Sequence, residues 1–408
     1  MTTAPSFPAI TLADIESARA RISRVLEPTP LARSAWFSER WGGNIWFKFE
    51  NLQRTGSFKE RGALNRLLCL SDTAKAHGVI TASAGNHGQA VACHARRLGI
   101  PATVVMPLNS PLVKVSNTAG YGAETILHGA SFDDAVEHAR RLEQERGLTY
   151  VHGFDDPDII AGQGTIGLEL VEQCPELDEV VVPVGGGGLI AGVALALKAR
   201  RPQVRVTGVQ FEHVPSMIAA LEQGTPVTVP PHRTIADGIA VRRVGQLPLE
   251  IVRHCVDQLI TVSESEIANA ILLLLERERT MVEGAGAVGV AALENGHVRA
   301  DGRNVVVLLS GGNIDVNLLS RIIDRGLVKA GRLARLRVTV PDAPGQLARV
   351  LDVVAELRAN ILEISHSRAF SDAPVGETVI DLVLETHGPG HIEQILGRLR
   401  ENGVRAEH

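Results

Sequence analysis

The chain is poor in cysteine and aromatic residues, has no excess of positive charge, and contains no long apolar run. Its four cysteines, Cys69, Cys93, Cys174 and Cys255, stand far apart without Cys-x-x-Cys spacing. That argues against a disulfide framework or a thiolate zinc site and fits a reducing, cytoplasmic setting. Aromatics make up 3% of 408 residues, too few for base-stacking platforms. The formal net charge of -5, with signs interspersed, offers no positive field for a phosphate backbone, so a nucleic-acid partner is not expected. The most apolar stretch, residues 267–275, is bounded by Glu266 and Glu276 and is too short to span a bilayer. The first residues lack a charged head followed by an apolar run, so neither a membrane nor export is expected.

What is present is the balance of an ordinary globular protein, 45% hydrophobic and 21% charged, in a chain longer than one core usually supports. From Gly78 onward short apolar runs alternate with helical patterns: 79–81 then a helix to Leu98, 102–106 then a helix, 124–127 then 131–146. A second series runs from 180–184 through a glycine turn and a helix to Leu197, then 204–209, and later 304–309 into 314–323. Such alternation predicts βαβ units with parallel sheets, hence an α/β fold of two lobes whose ligands gather at the carboxyl ends of strands. The catalytic part is placed at residues 1–330, with the smaller lobe at about 52–152. The pattern changes at Gly331. Residues 335–340 alternate as a strand, 344–357 have helical periodicity, 361–365 and 377–384 alternate again, and 391–399 form a second helix. A small α+β domain at 334–408 is expected, joined through the polar segment 324–332.

Within the first part, Phe58-Lys59 follows a strand and a Thr55-Gly56-Ser57 turn. A lysine that forms a Schiff base must be partly desolvated and held rigidly near a carbonyl carbon. On position alone a solvated helix lysine would be the commoner reading. Residues 50–63, reading ENLQRTGSFKERGA, resemble the cofactor-attachment signature of the serine/threonine dehydratases, a fold-type II pyridoxal-phosphate family that includes serine racemases. The resemblance implies that Lys59 carries pyridoxal 5'-phosphate.

Three further turns share the position of a strand end. In Ser83-Ala84-Gly85-Asn86-His87, small residues and free amides at a helix start suit a carboxylate. An ordinary βα turn capped by Asn86 is the plain alternative. The resemblance implies that this loop grips the substrate carboxylate, that Asn86 meets the cofactor's ring hydroxyl, and that His87 stabilises the loop. Gly185-Gly186-Gly187-Gly188-Leu189 lets backbone approach an anion closely and, beside such a lysine, reads as a phosphate cup. Ser310, in Ser310-Gly311-Gly312-Asn313, is placed by the resemblance opposite the pyridine nitrogen, where a hydroxyl does not hold that nitrogen protonated and so favours β-elimination. Glu283 either lies near the ring or has a structural role.

The implied reaction is deamination of a β-hydroxy amino acid. The substrate amine displaces Lys59, the freed lysine takes the Cα proton, and the β-hydroxyl leaves. Threonine would give 2-oxobutanoate and serine pyruvate, with an enzyme that prefers serine or 3-hydroxyaspartate as the alternative. A catalytically silent amino-acid-binding regulator is the reading from another class. Two departures from the family matter. Its serine racemases carry a second serine where Ala84 stands, so racemisation is disfavoured. Relatives with a divalent-metal site begin it with a glutamate where Gln210 stands, followed here by Val214 and Ser216. No divalent metal is expected there, and a monovalent ion stays open.

Residues 338–347, reading VTVPDAPGQL, resemble the opening of an ACT domain, the small ligand-sensing module of amino-acid metabolism, and Ala359-Asn360-Ile361 fits its helix-to-strand turn. The order implied is βαββαβ, with the last strand reduced to residues 404–408 and its edge pairing in doubt. The module implies a branched-chain amino-acid effector and allosteric regulation, as in isoleucine biosynthesis, although a dimerisation domain that binds nothing is the alternative. A homo-oligomer, dimer or tetramer, is the expected assembly.

Overall fold

Short Val- and Ile-rich runs become the parallel strands that the alternation predicts. The computed structural model describes residues 10–367 and 373–408, and the chain divides into two compact units, Met1–Ile314 and Asp315–His408. The first unit holds two sheets. The smaller has the strand order Glu124–Leu127, Ala102–Met106, Val79–Ala82, Thr149–Tyr150, with every pair parallel. In the larger, the strands Asn44–Phe49, Asn304–Leu309, Glu179–Pro183, Arg205–Phe211 and Gln258–Val262 are parallel, and Leu31–Arg33 joins one edge antiparallel.

Local chemistry sets the helix ends. The helix Phe132–Arg146 opens on a capping box between Ser131 and Asp134. Pro157–Gln173 starts where the Asp156 carboxylate accepts from the amides of Asp158 and Ile159, with Pro157 in its first turn. This last helix is buried from Ile159 to Leu170 because two others lean on it. A Cβ on Gly162 would lie 2.6 Å from the Arg61 carbonyl oxygen, and one on Gly192 2.4 Å from that of Ile160. The helices Lys59–Cys69 and Gly188–Arg200 therefore pack backbone against backbone on a shared spine. Both begin at the cleft.

A buried ion cluster locks the same spine. Arg61 bridges Glu50 at 2.7 Å and Glu169 at 2.5 Å, and Lys48 bridges Glu169 at 2.5 Å. Thr29 donates its hydroxyl to Glu50 at 2.5 Å. Burial pulls the Lys48 ammonium below its usual range despite Glu169. Burial would raise Glu50, but the Arg61 guanidinium, with Lys48 and the Thr29 hydroxyl, outweighs it and leaves the carboxylate below its ordinary pKa.

The second unit is a four-stranded antiparallel sheet in the order Asn360–Ser367, Glu377–Glu385, Leu333–Pro341, Arg405–Glu407. Two of its helices are Gln346–Glu356 and Pro389–Glu401. The βαββαβ order is present, and the short last strand does pair, Arg337 with Glu407 and Thr339 with Arg405. The helix Gln346–Glu356 starts at Gln346 rather than at 344, since Gly345 takes a left-handed φ of 88° as its cap. The helix Val316–Lys329 packs on the strand Leu333–Pro341 and goes with this unit, and it takes up residues 324–329 of the segment expected as a linker at 324–332. No helix among the described residues is long and apolar enough to cross a membrane.

Candidate active site

Lys59 opens its helix directly after Phe58, and the loop that carries it is pinned to the end of a central strand. The Phe58 amide donates to the Ser310 carbonyl at 3.0 Å, and Ser57 bridges Gly311. The Lys59 ammonium donates to the Gly153 carbonyl at 2.7 Å and sits 5.1 Å from the centre of the Phe58 ring. It keeps some accessible surface in the cleft, yet the protein around it strips away water and lowers its pKa to about 8, against the pull of Glu283. About a tenth of such an amine is neutral at pH 7.

The Ser83–His87 loop joins the strand Val79–Ala82 to the helix Asn86–Leu98. The Gly85 amide donates to the Ser83 hydroxyl at 3.2 Å. Among the described residues the amides of Asn86, His87 and Gly88, in the first turn of the helix, have no acceptor. Nothing lies within 4 Å of a Cβ built on Gly85, so that side of the loop is open, and Ala84 adds only a methyl group. His87 donates from Nε2 to the Val151 carbonyl at 3.0 Å, and burial pushes its pKa down to about 3, so the ring is neutral. Asn86 is held from two directions: its Nδ2 donates to Glu283 Oε1 at 2.6 Å, and its Oδ1 accepts from Asn313 Nδ2 at 2.8 Å. Glu283 is buried, and burial followed by the nearby Asp237 raises its pKa to about 7.

The glycine turn follows the strand Glu179–Pro183, with Gly187 at a left-handed φ of 95° before the helix. No amide from residue 185 to residue 189 donates to an acceptor among the described residues, which leaves a row of N–H groups at the helix start. Ser310 is buried, and its hydroxyl makes no hydrogen bond to the described residues. A desolvated amine, a free hydroxyl and a row of unpaired amides are the donor set that a pyridoxal phosphate needs at its aldehyde, ring nitrogen and phosphate, so the residues present fit that group. At the position of the absent glutamate, Gln210 Oε1 accepts from the Met217 and Ile218 amides at 3.1 Å and caps the helix Ser216–Gln223. No group of three or more His, Cys, Asp or Glu among the described residues could hold a metal ion.

Sequence reading passed over the loop His152-Gly153-Phe154-Asp155-Asp156. Its Phe154 ring would lie 2.3 Å from a Cβ on Gly186, Gly153 receives Lys59, and Asp155 caps the helix Gln246–Cys255 at the amides of Gln246 and Leu247. The Asp156-Pro157 helix start was the available signal. Asn313, which fixes the Asn86 side chain, stands in the sequence only as the residue after the Ser310-Gly311-Gly312 turn.

Residues 22–311 match the family model described as pyridoxal-phosphate dependent enzyme, and residues 334–401 match the ACT domain. The chain is 50% identical to the L-threonine ammonia-lyase of Thermotoga maritima over 386 residues, 95% of this chain and 96% of that one. The processed form of threonine deaminase isoform 2 from Solanum lycopersicum aligns with a TM-score of 0.73 at 37% identity, over 77% of this chain and 86% of that one. Maize serine racemase aligns with a TM-score of 0.73 at 36% identity, over 79% and 99%. The chain belongs to the pyridoxal-phosphate-dependent enzyme family and carries an ACT domain at residues 334–401.

Proposed function

We propose that this enzyme is an L-threonine ammonia-lyase, releasing 2-oxobutanoate and ammonia from threonine and, with it, pyruvate from serine. One observation carries the reading: a lysine of lowered pKa, a free serine hydroxyl and a row of unpaired glycine amides lie at strand ends of one unit. The 50% identical L-threonine ammonia-lyase supports the choice of substrate.

When bound, the cofactor supplies an electron sink that acidifies the substrate's Cα–H bond. Lys59 would hold it through Nζ, and the same amine, when free and neutral, would take the Cα proton of the substrate. The amides of residues 185–189 would hold the cofactor's phosphate, the Ser310 hydroxyl would meet its ring nitrogen, and the second Nδ2 hydrogen of Asn86 would serve its ring hydroxyl. The substrate carboxylate binds at the Ser83 hydroxyl and the amides that follow Gly85. Glu283 and Asn313 keep the Asn86 amide from turning. His87, neutral and tied to Val151, moves no proton. Ala84 has no group that could return a proton to the opposite face of Cα, which favours elimination over racemisation.

In the second unit the loop 341–347 opens the helix Gln346–Glu356, whose first amides can take the carboxylate of a branched-chain amino acid. The enzyme works in the cytoplasm as a homo-oligomer. Steady-state kinetics with threonine, serine and 3-hydroxyaspartate, followed by 2-oxo acid formation and chiral analysis of residual serine, test the reading. A preference for threonine without D-serine is expected. No oxo acid from any of the three would point to an amino-acid-binding regulator instead.

A further inference from the structure

Two ion pairs cross the mouth of the cleft. Lys114, on the helix Leu112–Gly120 of the smaller lobe, meets Asp237 on the larger at 2.5 Å. Asp133, at the start of the helix Phe132–Arg146, meets Arg242 at 2.8 Å with the signs reversed. The two pairs differ in what lies behind them. Asp237 opens the short turn Asp237–Ile239, whose Gly238 carbonyl oxygen stands 3.0 Å from a Cβ on Gly185 of the glycine turn. A Cβ on Gly238 would itself lie 3.7 Å from Glu283 Oε1, the oxygen that holds Asn86. The charges of Asp237 and Lys114 both act on the Glu283 carboxylate, together with Lys59. The Lys114–Asp237 pair thus spans the cleft one residue away from the wall it shares with the substrate loop.

We propose that this inner pair sets the charge of the side chain the enzyme accepts, refusing anionic β-hydroxy amino acids. The inference rests on the reading of the site as that of a β-hydroxy amino acid lyase. Lys114 alone would attract a second substrate carboxylate. Asp237 engages its ammonium first and adds a like charge against the incoming anion, a repulsive element of the kind that separates similar ligands. The hydrogen and methyl of serine and threonine carry no charge and are indifferent to both groups.

Asp237→Asn in the holoenzyme tests this. The ratio of kcat/KM for 3-hydroxyaspartate to that for threonine is expected to rise on the order of tenfold, and Lys114→Met added to it is expected to cancel the gain. Asp133→Asn, which breaks only the outer pair, is expected to leave the ratio unchanged. Asp237 is 58% exposed, so the substitution does not disturb the core. A ratio within about twofold of wild type in Asp237→Asn, or an equal rise in Asp133→Asn, overturns the proposal. Failure of the wild-type enzyme to turn over any of the three substrates overturns the functional reading instead, since the ratio is then undefined.

Discussion

The two units bury different kinds of side chain. The interior of the first contains Lys48, Glu50, Glu60, Arg61, Glu169 and Glu283, each nearly withdrawn from water. The second buries Leu336, Val338, Val354, Ile380, Leu382 and Leu399, and its buried polar residues among those described are Thr378, Thr386 and His391. Apolar packing suffices to hold a small sheet on two helices. A cleft that must place an amine, a hydroxyl and several amides to within a fraction of an ångström needs directional interactions behind it, and buried charges supply direction at the cost of desolvation.

The largest effect that would sharpen this contrast is Lys59→Ala. Turnover should fall by roughly a thousandfold or more, because one amine is both anchor and base, and the visible absorbance of the lysine-bound cofactor should vanish while the melting curve of the second unit stays put. Near-native turnover would remove Lys59 from the mechanism. Next comes the spine. Arg61→Ala leaves Glu50 without an ion-pair partner and Glu169 with Lys48 alone, and should cost about 3–5 kcal/mol in urea unfolding of the first unit. Leu382→Ala in the second should cost about 2–5 kcal/mol through a cavity alone. The contrast breaks if raising ionic strength weakens both variants alike.

A smaller effect is expected from the effector. Isoleucine or valine, titrated against the full chain, should shift apparent threonine affinity by about 5- to 150-fold, the usual range of coupling free energies. If neither ligand binds by calorimetry nor changes the kinetics, the second unit is structural. The last prediction concerns the pH response of cofactor uptake by the stripped enzyme. Only a neutral amine attacks an aldehyde, and the Lys59 pKa is lowered to about 8, so the uptake rate should climb roughly tenfold per pH unit below about 7 and level off above about 8. Glu283, which titrates at about 7, is coupled to the same charge and will broaden the curve. A rate still climbing steeply at pH 10 would mean that Lys59 is solvated like any surface lysine.

The strand-end motifs were legible because each packs its chemistry into a few consecutive residues: Ser57-Phe58-Lys59, Ser83 to His87, the four glycines and Ser310-Gly311 all appear where the apolar runs end. The β-α-β-β-α succession of the second unit was legible from period-two and helical periodicity, whereas the last strand, expected at 404–408 only from the ACT resemblance, proves to be Arg405–Glu407 and to pair. What escaped is long-range. Glu169 stands 108 residues from Arg61, Glu283 stands 197 from Asn86, and Asp237 stands 123 from Lys114. No local pattern marks a carboxylate for a partner that the fold delivers. In sequence the segment 314–323 reads as the helix that follows the strand 304–309 in the catalytic part, and only the packing of Val316–Lys329 on Leu333–Pro341 assigns it to the later unit.

Thermostability engineering commonly replaces helical glycines with alanine, gaining about 0.4–1 kcal/mol each by restricting the unfolded chain. Here a designer guided by helix propensity would choose Gly162 and Gly192, both inside helices with ordinary dihedrals. Either methyl group would wedge apart the elements that begin at Lys59 and Gly188, the amine and the phosphate cup. A variant library should therefore treat these two positions as closed and look for its gains at Gly390 and Gly397, helical glycines of the second unit whose Cβ would meet nothing within 4 Å.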